Sequence, residues 1–437
     1  MSAVARESVL ALLLRRWRNP AAWAIAADIF VILIAVALPW STTLVAIFAA
    51  ASVIAMAPFL DLKSFLQSLK RPICALPIAL FALAVVGTLW SNAPWATRLY
   101  AIGPTTKLLM LPLLFYHFER STRGVQVFVA FLASCVLLLA MSWIVVFDPR
   151  LALKPEAAYG VPVKNYIDQS QEFALCAVAL AFPIVTLLRT NRIMQALLLS
   201  AIALSFVANM AFVVVSRTAL VTMPIMLAVF ALLHLKWRSI VMIFSTAIVL
   251  AGLAWTASPH LRWTTATFLR DYQIYRELDQ PTSIGMRLEF WEKSLRFFAE
   301  APIIGHGTGS TRGLFEQAAT GPKVLAGGQV VSNPHNQTLN VAVQWGVVGI
   351  VVLYAMWLAH LLLFRGEGLV AWIGLLVVVQ NIFTSLFNSH IFDFTGDGCT
   401  CSAWALPAEW CSRQARANQH RGRAIPLNHD GWHARAR

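Results

Sequence analysis

Eleven apolar stretches constrain what this chain can fold into, at about 22–38, 42–60, 72–90, 100–118, 124–147, 171–188, 193–215, 218–235, 239–257, 336–364 and 369–388. A helix needs roughly 20 mostly apolar residues to cross the hydrocarbon core of a bilayer, and most of these stretches have that length. Only 12% of the 437 residues are charged and 59% are hydrophobic, too few charges to cover a water-soluble protein of this size. In lipid every backbone polar group must be satisfied internally, so long runs without strand alternation specify helices and not a barrel. The expected fold class is an all-α polytopic membrane protein, a bundle of 11–12 transmembrane helices with a partly helical external segment.

The distribution of Lys and Arg gives an expected orientation. They collect at the N-terminus (Arg6, Arg15, Arg16, Arg18) and in alternate loops, including Lys63, Lys70 and Arg71, then Arg120 and Arg123, then Arg189 and Arg192. Such loops face the cytoplasm, so the N-terminus is expected inside. The first apolar stretch runs past Pro39 without a small-residue cleavage site and is taken as an uncleaved anchor. The segments 148–170, 216–218 and 258–334 then share the opposite compartment. The net charge of +14 is accounted for by orienting charges and a basic tail, and no nucleic-acid partner is needed to explain it. The chain divides into 1–257 with nine spans, 258–334 as an external segment, 335–390 with two spans, and 391–437.

That last segment differs in composition. From Gly396 it turns rich in Arg, Cys, Gln, Asn and His, as a disordered tail would. A twelfth span across 391–411 would return the basic tail to the cytoplasm, but Asp393, Asp397 and Glu409 make it a poor one. Cys399, Cys401 and Cys411 are taken as unpaired thiols, Cys74, Cys135 and Cys176 as packing residues; no disulfide framework or metal site is expected.

The segment 258–334 is too long for a plain connection. Between Ile284 and Glu300, Leu288, Phe290, Trp291, Leu295, Phe297 and Phe298 recur at helical spacing among charged residues, which predicts an amphipathic helix ended by Pro302. Gly305, Gly307 and Gly309 follow in a turn with His306, where glycines would allow close backbone approach to a ligand. No strand precedes them, so a dinucleotide site is excluded. Pro334 can start the next helix, which sets His335 at or near a helix N-terminus. A positive helix end favours a neutral imidazole able to act as a base, while a capping or interfacial histidine is the plainer reading. Arg217 sits between two spans with almost no loop, where a cation without an anionic partner is costly: it either snorkels to lipid headgroups or binds a phosphate. Lys107, inside the fourth stretch near Pro104 and Pro112, either snorkels or lines a polar cavity.

These residues resemble the O-antigen ligases, within the superfamily of O-antigen ligases, polymerases and protein O-oligosaccharyltransferases. The resemblance rests on Ser216-Arg217-Thr218, on Arg287 with Trp291 and then Pro302-Ile303-Ile304-Gly305-His306-Gly307-Thr308-Gly309, and on Pro334-His335-Asn336-Gln337 leading to Gln344-Trp345-Gly346-Val347-Val348-Gly349. It implies a GT-C-type glycosyltransferase of the bacterial inner membrane. Such an enzyme transfers O-antigen from undecaprenyl diphosphate to lipid A-core in the periplasm, with no cofactor or metal, and so forms lipopolysaccharide. By position, Arg217 and Arg287 would bind the donor diphosphate and His335 would deprotonate or orient the acceptor hydroxyl. Lys107 and Arg312 are further candidates for phosphate contacts. A single base with no nucleophilic carboxylate pair agrees with inversion at the anomeric carbon. The chain departs from the family at the C-terminus, where members usually continue past the region of Phe392-Asp393-Phe394 into a last hydrophobic span. A polymerase or protein O-oligosaccharyltransferase would use the same donor. A lipid-linked glycan transporter is the alternative from another class, but no internal repeat or matched pair of interrupted helices supports it.

Overall fold

A computed structural model describes residues 19–154, 159–322 and 324–392. The N-terminal arginines, the Cys/Arg-rich tail, Asp393 and the greater part of the twelfth span lie outside the described residues. Among those described there is no strand.

The helices run in chain order as α1 (Pro20–Ala37), α2 (Thr42–Met56), α3 (Leu62–Ser68), α4 (Pro72–Val86), α5 (Trp95–Ile102), α6 (Met110–Phe118) and α7 (Gly124–Phe147). Then come α8 (Tyr166–Ala179), α9 (Ala181–Arg189), α10 (Ile193–Phe212), α11 (Arg217–His234) and α12 (Trp237–Ala257). The external segment holds α13 (Pro259–Leu278), α14 (Ser283–Glu300) and α15 (Thr311–Gln317), and the chain returns through α16 (Gln337–Leu363) and α17 (Leu369–Thr384). Their starts are written locally. Asn19, Ser41, Asp61, Asn165, Ser258, Thr282 and Asn336 each cap a helix by accepting a backbone N–H of its first turn.

The eleven apolar stretches all fall on helical segments, with 100–118 running through α5 and α6 and 171–188 through α8 and α9, and among the described residues nine such segments are long and apolar enough to cross a membrane. Two expected spans fall short. The 72–90 stretch stops at Val86, where Gly87 ends the helix, and α4 is bent by 85° from α3. At 16 residues, α17 is about 24 Å long, below the roughly 30 Å of a hydrocarbon core. The bundle interior is joined by hydrogen bonds: Trp40 Nε1 donates to Ser134 Oγ (2.7 Å), Asp28 Oδ1 lies 2.8 Å from His117 Nε2, and Gln169 and Asn209 both donate to Ser142 Oγ. Cys74, Cys135 and Cys176 are buried and packed in this core.

The sequence pattern gave α14 within a residue, but not α13. The buried face of α13 holds Leu261, Thr264 and Thr267, so it lacks the apolar stripe by which a helix is recognised. Asp279, at φ +49, closes α13 and turns the chain into α14. Tyr275 Oη donates to Glu289 Oε2 (2.8 Å), and a Cβ at Gly285 would lie 2.3 Å from Tyr275 Cβ, so the two helices pack in close contact. Phe290, Phe297, Phe315 and Val343 form a separate apolar cluster that fastens α14 and α15 to α16.

Candidate active site

Helix α10 ends at Phe212, and Val213, Val214 and Val215 pass through the interior as a buried connection before α11 begins. Arg217 is therefore fixed at the first residue of a helix, unable to move far. Its partner is Asp271 on α13, with Nη1 3.0 Å from Oδ2, and Nη2 donates to Thr267 Oγ1 at 2.9 Å. Neither lipid nor phosphate is needed to offset its charge, because a carboxylate 54 residues downstream does so.

Arg287 lies in the second turn of α14, and its Nη1 donates to Ser283 Oγ (2.9 Å) and to the Ser283 carbonyl (3.2 Å). Its Nε is buried with no hydrogen-bond partner. Burial pushes the guanidinium below the ordinary arginine range, and the charge of Arg217 pushes the same way. The two arginines line one cavity of about 330 Å³, together with Tyr166, Ser216 and His260. Tyr159 and Tyr166 bring the 148–170 segment to the same place, so the three segments expected to share a compartment converge there. Two guanidiniums on one cavity, one of them paired with the carboxylate of Asp271, make a site that can receive an anion with several oxygens.

His335 lies immediately before Asn336, the cap of α16, so the helix starts three residues later than Pro334 would set it. Its backbone is left-handed, at φ +53, a conformation uncommon outside glycine, and Asn333 Oδ1 accepts its N–H at 2.9 Å. The ring rests against Phe290, with centroids 6.4 Å apart, and Phe290 lies about one turn from Arg287 on α14. Nδ1 is 3.3 Å from Asn388 Oδ1. The amide oxygen is an acceptor, so Nδ1 carries the proton and Nε2 of a neutral ring is left to accept one.

The glycine turn is docked into the fold. Gly346 interrupts α16 at φ +60 and ψ −153, and the 302–309 turn docks into that break. Val347 N–H donates to Pro302 O, His306 N–H to Val343 O, Gly307 N–H to Gln344 O and Thr308 N–H to Gly87 O. A Cβ at Gly305 would lie 2.5 Å from Trp345 N, and one at Gly346 2.4 Å from Ile303 O. The close backbone approach expected of these glycines is to the chain itself.

Lys107 and Arg312 lie elsewhere. Lys107 sits in a tight turn of 103–109 and donates to the His390 carbonyl; it lines neither described cavity. Arg312 pairs with Glu316, Nε to Oε1 2.9 Å, on the wall of a second cavity of about 1260 Å³. Among the described residues no group of three or more His, Cys, Asp or Glu is placed to hold a metal ion.

Residues 202–354 match the family described as O-antigen ligase. Over that segment the chain is similar to the O-antigen ligase/polymerase superfamily. The curated proteins yield no match to this chain. Arg217, Arg287, Arg312 and His335 lie inside the matched segment, and Lys107 lies outside it. Sequence reasoning missed Asp271, Thr267, Tyr166, His260 and Asn388. Asp271 and Thr267 are one turn apart on a helix with no apolar periodicity. Asn388 follows α17, 53 residues from the histidine it orients.

Proposed function

We propose that this protein is an O-antigen ligase of the bacterial inner membrane, with its N-terminus cytoplasmic. It transfers O-antigen from undecaprenyl diphosphate to lipid A-core at the periplasmic face, with inversion and without a metal. The reading is carried by one observation: Arg217 and Arg287 line one cavity, Arg287 has a buried donor without a partner, and His335 is held about a turn away through Phe290. The arginines bind the donor diphosphate, and the phosphate oxygens take up the unused donor of Arg287. The acceptor hydroxyl attacks the anomeric carbon from the face opposite the diphosphate, and its proton passes to His335 Nε2. The bond from the anomeric carbon to the diphosphate oxygen breaks, and undecaprenyl diphosphate leaves with the bonding pair. The leaving group is already good, so the protein has two tasks, to stabilise developing negative charge and to remove one proton.

The test is electrophoresis of lipopolysaccharide from a strain lacking the protein. A ligase predicts core without O-antigen while long lipid-linked polymer accumulates. Core bearing a single repeat unit would instead assign the same donor chemistry to a polymerase, and glycan missing from a secreted protein would assign it to a protein O-oligosaccharyltransferase.

A further inference from the structure

The cavity of about 1260 Å³ is not needed to hold a diphosphate. It opens between residues 92–104 and residues 300–317, and its lining reaches Asn333, the residue that fixes the backbone of His335. Its volume exceeds the roughly 300–1,000 Å³ that encloses a drug-sized ligand, so its occupant is larger. The charged residues lining it are Glu300, Arg312 and Glu316, and Arg312 is engaged by Glu316. That excess of carboxylate disfavours phosphate, in contrast to the arginine cavity. Few large apolar groups line it, which disfavours an acyl chain. What it offers is amides, including Asn92, Gln317 and Asn333, two carboxylates, and the ring of Tyr100, which is 77% exposed. Carboxylate and amide oxygens accept from hydroxyls, amide N–H groups donate to them, and an open aromatic face packs on the C–H face of a sugar ring.

The walls are held in place. Arg98 donates to Ala93 O (2.6 Å) and Thr88 O (2.8 Å), fixing one side. On the other, Gly309 N–H donates to Gln344 Oε1 (2.9 Å), and a Cβ at Gly309 would come within 3.1 Å of Thr97 O, so the two walls meet at the floor.

We propose that this cleft binds several consecutive sugar residues of a transferase substrate and delivers the reacting end to His335. The proposal rests on the glycosyltransferase reading above. The sugars belong either to the lipid-linked donor or to the lipid A-core acceptor, and the experiment separates the two. The purified full-length protein is assayed for transfer with donors carrying one repeat unit or many, and with full or truncated core acceptors, for wild type, Tyr100→Ala and Gln317→Ala. Both side chains are exposed, so neither change opens a hole in the core. Saturation-transfer NMR with free core oligosaccharide and with O-antigen released from its carrier measures binding apart from turnover.

The expected result is a rise in KM of about tenfold for one substrate with kcat nearly unchanged, lost when that substrate's sugars are shortened. Dependence on donor length assigns the cleft to the donor glycan, and dependence on core length to the acceptor. Unchanged KM for every substrate in both variants, with wild-type binding of the free oligosaccharides, overturns the cleft and leaves the transferase reading standing. Oligosaccharide binding that falls in the variants, in a wild-type protein that transfers nothing, upholds the cleft and overturns the transferase. Binding of neither oligosaccharide by wild type also overturns the cleft.

Discussion

Replacing Arg287 by methionine should leave the ligand-free protein about as stable as before, while removing its activity. Methionine is of similar length, a good helix former and apolar. The change removes a buried Nε donor that has no partner, a relief of about 1–3 kcal/mol, and ends its repulsion by Arg217. Against this it loses the two Nη1 contacts to Ser283, at about 0.5–1.5 kcal/mol each. The two sums cancel to within about 2 kcal/mol in either direction, at most a few degrees in Tm for a chain of this size. For transfer, two charge-assisted contacts to diphosphate at about 1.5–3 kcal/mol each predict a loss of roughly 10²- to 10⁴-fold in kcat/KM. Tryptophan fluorescence during heating of the purified protein reads the first quantity, and a gel-shift transfer assay the second. A Tm lowered by many degrees would mean that Arg287 is a structural tie, and transfer within threefold of wild type would remove it from the donor site.

Arg217→Ala should also abolish transfer, but it leaves Asp271 without its cation in a partly exposed pair. It should therefore cost about 1–2 kcal/mol where Arg287→Met does not, as heating the two variants side by side would show. His335→Ala should eliminate O-antigen on lipopolysaccharide while immunoblotting of the membrane fraction finds the protein at normal level; a normal ladder would exclude its role as base. Asn388→Ala should lower kcat about tenfold with KM little changed, because it releases the tautomer of His335 and touches no substrate. Equal kcat for this variant and wild type would refute that. Gly346→Ala should destabilise by about 3 kcal/mol or more, from its φ of +60 and a Cβ 2.4 Å from Ile303 O, whereas Gly252→Ala, with nothing within 4 Å, should be neutral in the same thermal measurement.

Local information carried far in this chain. Hydropathy located every membrane-sized helix, and the apolar spacing of Leu288, Phe290 and Phe297 marked α14, because these features depend only on residues near in sequence. The positions of Arg217 and His335 were legible too, since each is unusual where it stands, a cation or imidazole at a helix start beside a span, while Arg287 was marked only by the family resemblance. Three things were not. The length of the spans was overestimated at Val86 and Thr384, where turns that the hydropathy window ignores end the helix. The glycines of 302–309 gave no sign that their contact would be the broken helix at Gly346, more than 30 residues on. The pairing of the cations was also hidden. Arg217 meets Asp271 and Arg287 meets no carboxylate, and this depends on how α13 and α14 fold back over the start of α11. The sequence by itself determined an all-helical membrane chain and which charges were out of place in it. Only the tertiary structure decided which of those charges is neutralised and which meets no carboxylate among the described residues, because a charge pair needs contact within a few ångströms and local pattern does not set distances between remote segments.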